Sequence, residues 1–130
     1  MIIKNKKSFD ILIGPEYNCV KGQAAVNKLL AEKQGHVKDA FYREDIGGID
    51  LFWGDETAGL CHIISQRRKD QINIRQLLKE LPTVVEKGNL SDNANSLDKV
   101  NIFYKDKVVI ITYELRGESV TAILTAFTTK

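Results

Sequence analysis

The sequence predicts an α+β domain with helices on one face of a mainly antiparallel sheet of about five strands. Three observations predict it. Apolar residues recur at helical spacing in segments before position 90. A short alternating pair of segments joined by Gly47-Gly48 lies between the first two of them. Beyond position 100, three alternating segments follow each other with only short turns between. The 130 residues, 43% hydrophobic and 28% charged, suit one globular domain with a sound core.

From Lys21 to Lys33, Ala25, Val26, Leu29 and Leu30 repeat at helical spacing, and Gly35 is placed to stop the helix. Ala40–Asp45 and Ile49–Trp53 read as a hairpin around Gly47-Gly48. Gly54-Asp55 ends the second strand, with Asp55 placed to cap a helix over about Thr57–Arg67. At about 100° per residue, Leu60, Ile63, Ile64 and Arg67 share one face of that helix. His62, Ser65, Gln66 and Lys69 share the other. Asn73 and Gln76 form a capping-box pattern for the next helix, and Ile72 and Leu77 are spaced as its hydrophobic staple. Pro82 predicts a break near Leu81, and Gly88 closes Pro82–Lys87. The polar, Asn-rich run Gly88–Lys99 predicts a loop. Strands follow at Val100–Tyr104, Val108–Leu115 and Ser119–Thr128. In the last, Val120, Ala122, Leu124 and Ala126 are expected to face the helices, and Thr121, Ile123, Thr125 and Phe127 an open face.

Composition narrows the function classes. No apolar run approaches the length of a membrane span, and the Lys-interrupted start does not resemble a signal peptide. The expectation is a cytoplasmic protein, or one delivered by a larger assembly, with no membrane partner. Cys19 and Cys61 lack zinc-ligand spacing, and sequence leaves their pairing open. Asp45, Asp50 and Asp55 form no recognisable metal cage, and neither a phosphate-binding glycine loop nor a nucleophile elbow is present. No cofactor is expected. The net charge of +2 is weak, but Arg67, Arg68, Lys69, Arg75 and Lys79 concentrate positive charge: a solvated helix face, or a site for an anionic partner.

The chemistry-bearing stretch is Gly47–Arg68, where a strand, a Gly-bounded turn and a helix bring His62 next to cationic side chains. Imidazole can act as acid or base near neutral pH. Arg43, Arg67 and Arg68 offer planar cationic donors to phosphate. Tyr113 and Thr125 can add hydroxyls from the strands, although cross-strand packing is the plainer role for both. His36, in a turn before the first strand, is a lesser candidate. Metal-free phosphoryl chemistry on RNA would use the substrate's 2′-hydroxyl as nucleophile, with a base, an acid and cationic or hydroxyl groups around the crowded phosphorus.

The runs AFYREDIGGIDLFWGDETAGLCHIISQR, LPTVVEKG and ILTAF resemble the phage-associated branch of the barnase–EndoU–colicin–RelE nuclease fold, from about Gly35 to Phe127. Residues 1–20 would form an N-terminal extension of the single domain. The resemblance implies a barnase- or EndoU-like architecture, a prophage toxin or effector that cleaves RNA, and a phage head protein or immunity protein as further partners. It implies His62 and Thr125 as catalytic positions, with Arg67 at a third, and beside it Arg43, Arg68, Tyr113 and Thr121 are expected to bind substrate. Family members often carry a second His where Arg67 stands. The guanidinium binds phosphate but does not trade protons at neutral pH. Either His36, Glu56 or another group supplies the second proton function, or the domain is a weak or inactive nuclease that binds RNA or a partner.

Overall fold

A computed structural model describes residues 12–69, 73–92 and 97–129. Among them, three helices and six strands run in the order α1 (Gln23–Glu32), β1 (His36–Arg43), β2 (Gly47–Phe52), α2 (Leu60–Lys69), α3 (Ile74–Lys87), β3 (Asn89–Asp92), β4 (Lys99–Tyr104), β5 (Lys107–Leu115) and β6 (Glu118–Thr128). They form a single sheet of order β1-β2-β6-β5-β4-β3. All neighbours are antiparallel except β2 and β6, which run parallel and meet at Asp50 and Ala122.

The helices cover one face. Leu77, Leu81, Val84 and Val85 of α3 pack with Val26 and Leu29 of α1, Leu60 and Ile63 of α2, and Val109, Ile111 and Ile123 of the sheet, all essentially fully buried. Burying such side chains stabilises the fold by about 1.5–3 kcal/mol each. α3 runs unbroken through Pro82, correcting the expected break. Proline removes one helical hydrogen bond, at about 3 kcal/mol, and the buried stripe around it outweighs that cost. Asn73 caps α3 by accepting from the Gln76 amide at 3.0 Å, whereas the Gln76 side chain turns to Glu80 instead of closing a box. The staple partner Ile72 lies outside the described residues.

Two further corrections concern the sheet. Part of the expected loop after Gly88 is β3, an exposed edge strand paired only with β4. An edge strand with both faces in water needs no apolar alternation. In β6, Ile110 pairs with Thr125 while Ile111 pairs with Ile123, which leaves Leu124 as the extra residue of a bulge. The bulge reverses the expected faces only on its N-terminal side: Ile123 joins the helix-covered core and Ala122 pairs with Thr112 on the other face, whereas Ala126 in the core and Thr125 and Phe127 on the other face lie as expected.

The first strand also begins earlier than expected. His36 lies in β1 and anchors the segment before α1: its amide donates to the Pro15 carbonyl at 2.9 Å, and its own carbonyl accepts from the Tyr17 amide at 2.9 Å. Part of the expected N-terminal extension is thus fastened to the sheet.

Candidate active site

Beyond Ala122 the neighbour of β6 is no longer β2 but the turn that leads into α2. The Gly59 amide donates to the Leu124 carbonyl at 3.0 Å, and Leu60 and Ile63 anchor the helix in the core. The turn requires its glycines. Gly54 has φ +74° and Gly59 φ +89°, and a Cβ on Gly59 would lie 2.8 Å from the carbonyl oxygens of Phe52 and Trp53. Asp55 does not cap α2, which starts at Leu60. Its carboxylate instead accepts from the Thr57 amide (2.8 Å), the Thr57 hydroxyl (2.6 Å) and Arg116 Nη2 (2.6 Å). Burial alone would raise the Asp55 carboxyl, but the bonds from Thr57 and Arg116 outweigh it and hold the group below its usual range.

This turn orients His62. Its Nδ1 lies 2.7 Å from the Glu56 carbonyl oxygen. A carbonyl can only accept, so Nδ1 carries the hydrogen. Nε2 is then the ring nitrogen that carries the lone pair.

Arg67 lies one turn beyond Ile63. Its Nε is buried, and its guanidinium carbon sits 5.8 Å from the centroid of the Phe127 ring. Phe127 is two residues past Thr125 on the same sheet face. His62, Arg67 and Thr125 therefore stand on two elements in direct contact. Arg68 and Lys69 are exposed beside them in the last turn of α2, where positive charge also complements the helix dipole.

The remaining candidates are elsewhere. Arg43 points to the helix-covered side. Its Nη1 donates to the carbonyls of Val85 (2.7 Å) and Gly88 (2.9 Å) at the end of α3, and its Nε and Nη2 both bind Asp45 at 2.9 Å. Four of its five N–H donors are thus engaged within the fold. That hydrogen bonding holds the Asp45 carboxyl below its ordinary range.

Tyr113 and Thr121 line a separate cavity of about 520 Å³ with His36, Lys38, Asp39 and Asp50. Burial raises the Asp50 carboxyl, although the Asp39 amide donates to it at 2.8 Å. Burial and the negative charge of Asp45 raise the Tyr113 phenol. His36 is only 6% exposed. Its Nδ1 meets the Ile13 carbonyl at 2.9 Å, and Nε2 lies 3.6 Å from a Glu16 carboxylate oxygen. Both ring nitrogens thus tie it to the preceding segment. Asp50, weighed in the sequence only as a metal ligand, is the half-buried carboxylate of this cavity. Its signal was a carboxylate alternating with the apolar Ile49 and Leu51 on one strand.

Cys19 and Cys61 are both free thiols. Among the described residues, no three His, Cys, Asp or Glu side chains gather as a metal-binding group, and no helix is long and apolar enough to cross a membrane.

Residues 40–130 match the family model described as phage-Barnase-EndoU-ColicinE5/D-RelE like nuclease1, and the chain belongs to that family. No curated protein and no solved structure gives a significant match.

Proposed function

We infer that this phage-associated, nuclease-fold domain is a metal-independent endoribonuclease whose reaction centre is the junction of α2 and β6. One observation carries the reading: the turn before α2 fixes the His62 tautomer, on the helix that brings Arg67 to the sheet face of Thr125. His62 Nε2 removes the proton of a substrate 2′-hydroxyl, and that oxygen attacks the adjacent phosphorus. The P–O bond to the 5′-oxygen breaks as the 2′,3′-cyclic phosphate forms, and a protonated group returns a proton to the leaving oxygen. Arg67 and Arg68 bind the charged phosphate oxygens, and the Thr125 hydroxyl donates to one of them. Tyr113 and Thr121, in the separate cavity, contact the chain of the RNA away from the cut. The domain acts in the cytoplasm, alone or delivered by a phage or toxin assembly, and an immunity or phage head protein is a further partner.

Cleavage of a single-stranded RNA by purified protein in EDTA, and its loss in His62→Ala, tests the reading. A second reading rests on Arg67, which cannot serve as the partner acid: the domain binds RNA or a partner protein with little or no turnover. Salt-sensitive RNA binding without cleavage identifies it, because phosphate contacts weaken steeply as salt rises.

A further inference from the structure

We propose that the sheet face beside the α2–β6 junction holds a stacking subsite for an unpaired nucleobase, built on Phe103, at the end of a row in which Val108 and Phe127 lead to Arg67. The proposal rests on the ribonuclease reading and names its substrate as single-stranded RNA. Cross-strand register places Phe103 opposite Val108 and Val108 opposite Phe127, so the three form one row across β4, β5 and β6. The neighbouring row is Asn101, Ile110 and Thr125. This is the face opposite Ile102, Val109 and Ala126, which join the helix-covered core.

The row carries an arrangement that simple solvation does not require. Phe103 remains 39% exposed, while Val108 between the two aromatic positions is only 2% exposed. With strands about 4.8 Å apart, the two rings are spaced roughly 10 Å across the sheet. Every nucleobase has a π-face that stacks on such a ring, and only an unpaired base presents that face freely.

Charge and continuity favour RNA as the occupant. The Arg67 guanidinium lies over the Phe127 ring, so a phosphate-binding cation adjoins one end of the row. Thr125 lies about 7 Å along β6 from Phe127, two residues at the usual strand rise. A strand whose scissile phosphate sits at Arg67 and Thr125 therefore has a neighbouring base over Phe103, while Phe127 holds the Arg67 guanidinium at the other end of the row. A duplex, its bases paired and stacked internally, gains nothing from this face.

The test is binding of a 2′-O-methyl hexaribonucleotide, which lacks the attacking hydroxyl and stays intact. Wild-type protein is expected to bind it. Phe103→Ala is expected to weaken binding about 5- to 100-fold, with Phe103→Trp restoring it. Both variants are expected to fold, because Phe103 lies outside the core cluster, and thermal melting checks that. The same sequence annealed into a duplex should bind more weakly than the single strand. Binding indifferent to Phe103, equal binding of the duplex, or no binding by the wild type would overturn the proposal. Self-association lost in Phe103→Ala, without oligonucleotide binding, would assign the face to a second copy and overturn it as well. Binding that depends on Phe103, with an unmodified RNA of the same sequence left uncut in EDTA, would uphold the subsite and refute the catalytic reading alone.

Discussion

Replacing Arg43 by Met separates a fold-stabilising arginine from a substrate-binding one. Met keeps most of the aliphatic stem and removes the guanidinium. Two bonds dominate the loss, from Nη1 to the Val85 and Gly88 carbonyls at 2.7 and 2.9 Å. Bonds from a charged donor contribute about 1.5–3 kcal/mol each, and water recovers part of that once the carbonyls are uncovered. The Asp45 pair adds less than about 1 kcal/mol, since the Asp45 side chain is 45% exposed. A net loss of about 3 kcal/mol follows. Unfolding entropy of about 2.1 cal/mol/K per residue, over 130 residues, comes to roughly 0.27 kcal/mol/K. The melting temperature should therefore fall by about 11 °C in Arg43→Met. RNA cleavage at 15 °C, where the variant is still folded, should stay near the wild-type rate. A melting temperature within about 2 °C of wild type, together with a large loss of cleavage, would refute the reasoning and place Arg43 on the substrate.

Other outcomes follow from the same geometry. Asp50→Asn should melt at least as high as wild type at pH 7, because Asn can still accept from the Asp39 amide. The folded carboxyl is raised above its ordinary value, so the native state binds more protons than the unfolded chain between the two values. Wild-type stability relative to the variant should then fall as pH rises through that window. Denaturant titrations from pH 4 to 7 check the sign, and a variant weaker than wild type at pH 7 would contradict it. Asp55→Ala should lower the cleavage rate on the order of 10- to 100-fold, with KM little changed, because the turn that holds the Glu56 carbonyl against His62 loosens. An unchanged kcat would show that His62 does not depend on that turn.

Much of the fold was legible because local periodicity reports it. Val26 and Leu29 in α1, Leu60 and Ile63 in α2, and the alternation in β4 and β5 all mark the buried side. What escaped is non-local or fully solvated. β3 is polar because it is an edge. The Leu124 bulge is visible only once β5 supplies a register, and the parallel contact of β2 with β6 rests on the single pair Asp50 and Ala122. The candidate site divides in the same way. Its helical half was readable, since Arg67 shares the side of Leu60 and Ile63. Arg43 resembled a free phosphate ligand because its carbonyl partners are 42 and 45 residues away. Tyr113 and Thr121 offered hydroxyls from the sheet, but they line a cavity to which His62 does not contribute.

The most direct measurement is product analysis of a single-stranded RNA incubated with wild-type and His62→Ala protein in EDTA. The predicted result is a 2′,3′-cyclic phosphate at the cut in the wild-type reaction and a rate at least about 100-fold lower in the variant, as expected for loss of a general base. Cleavage that requires a divalent metal, yields no cyclic phosphate, or persists in His62→Ala would contradict a reaction centred on α2 and β6.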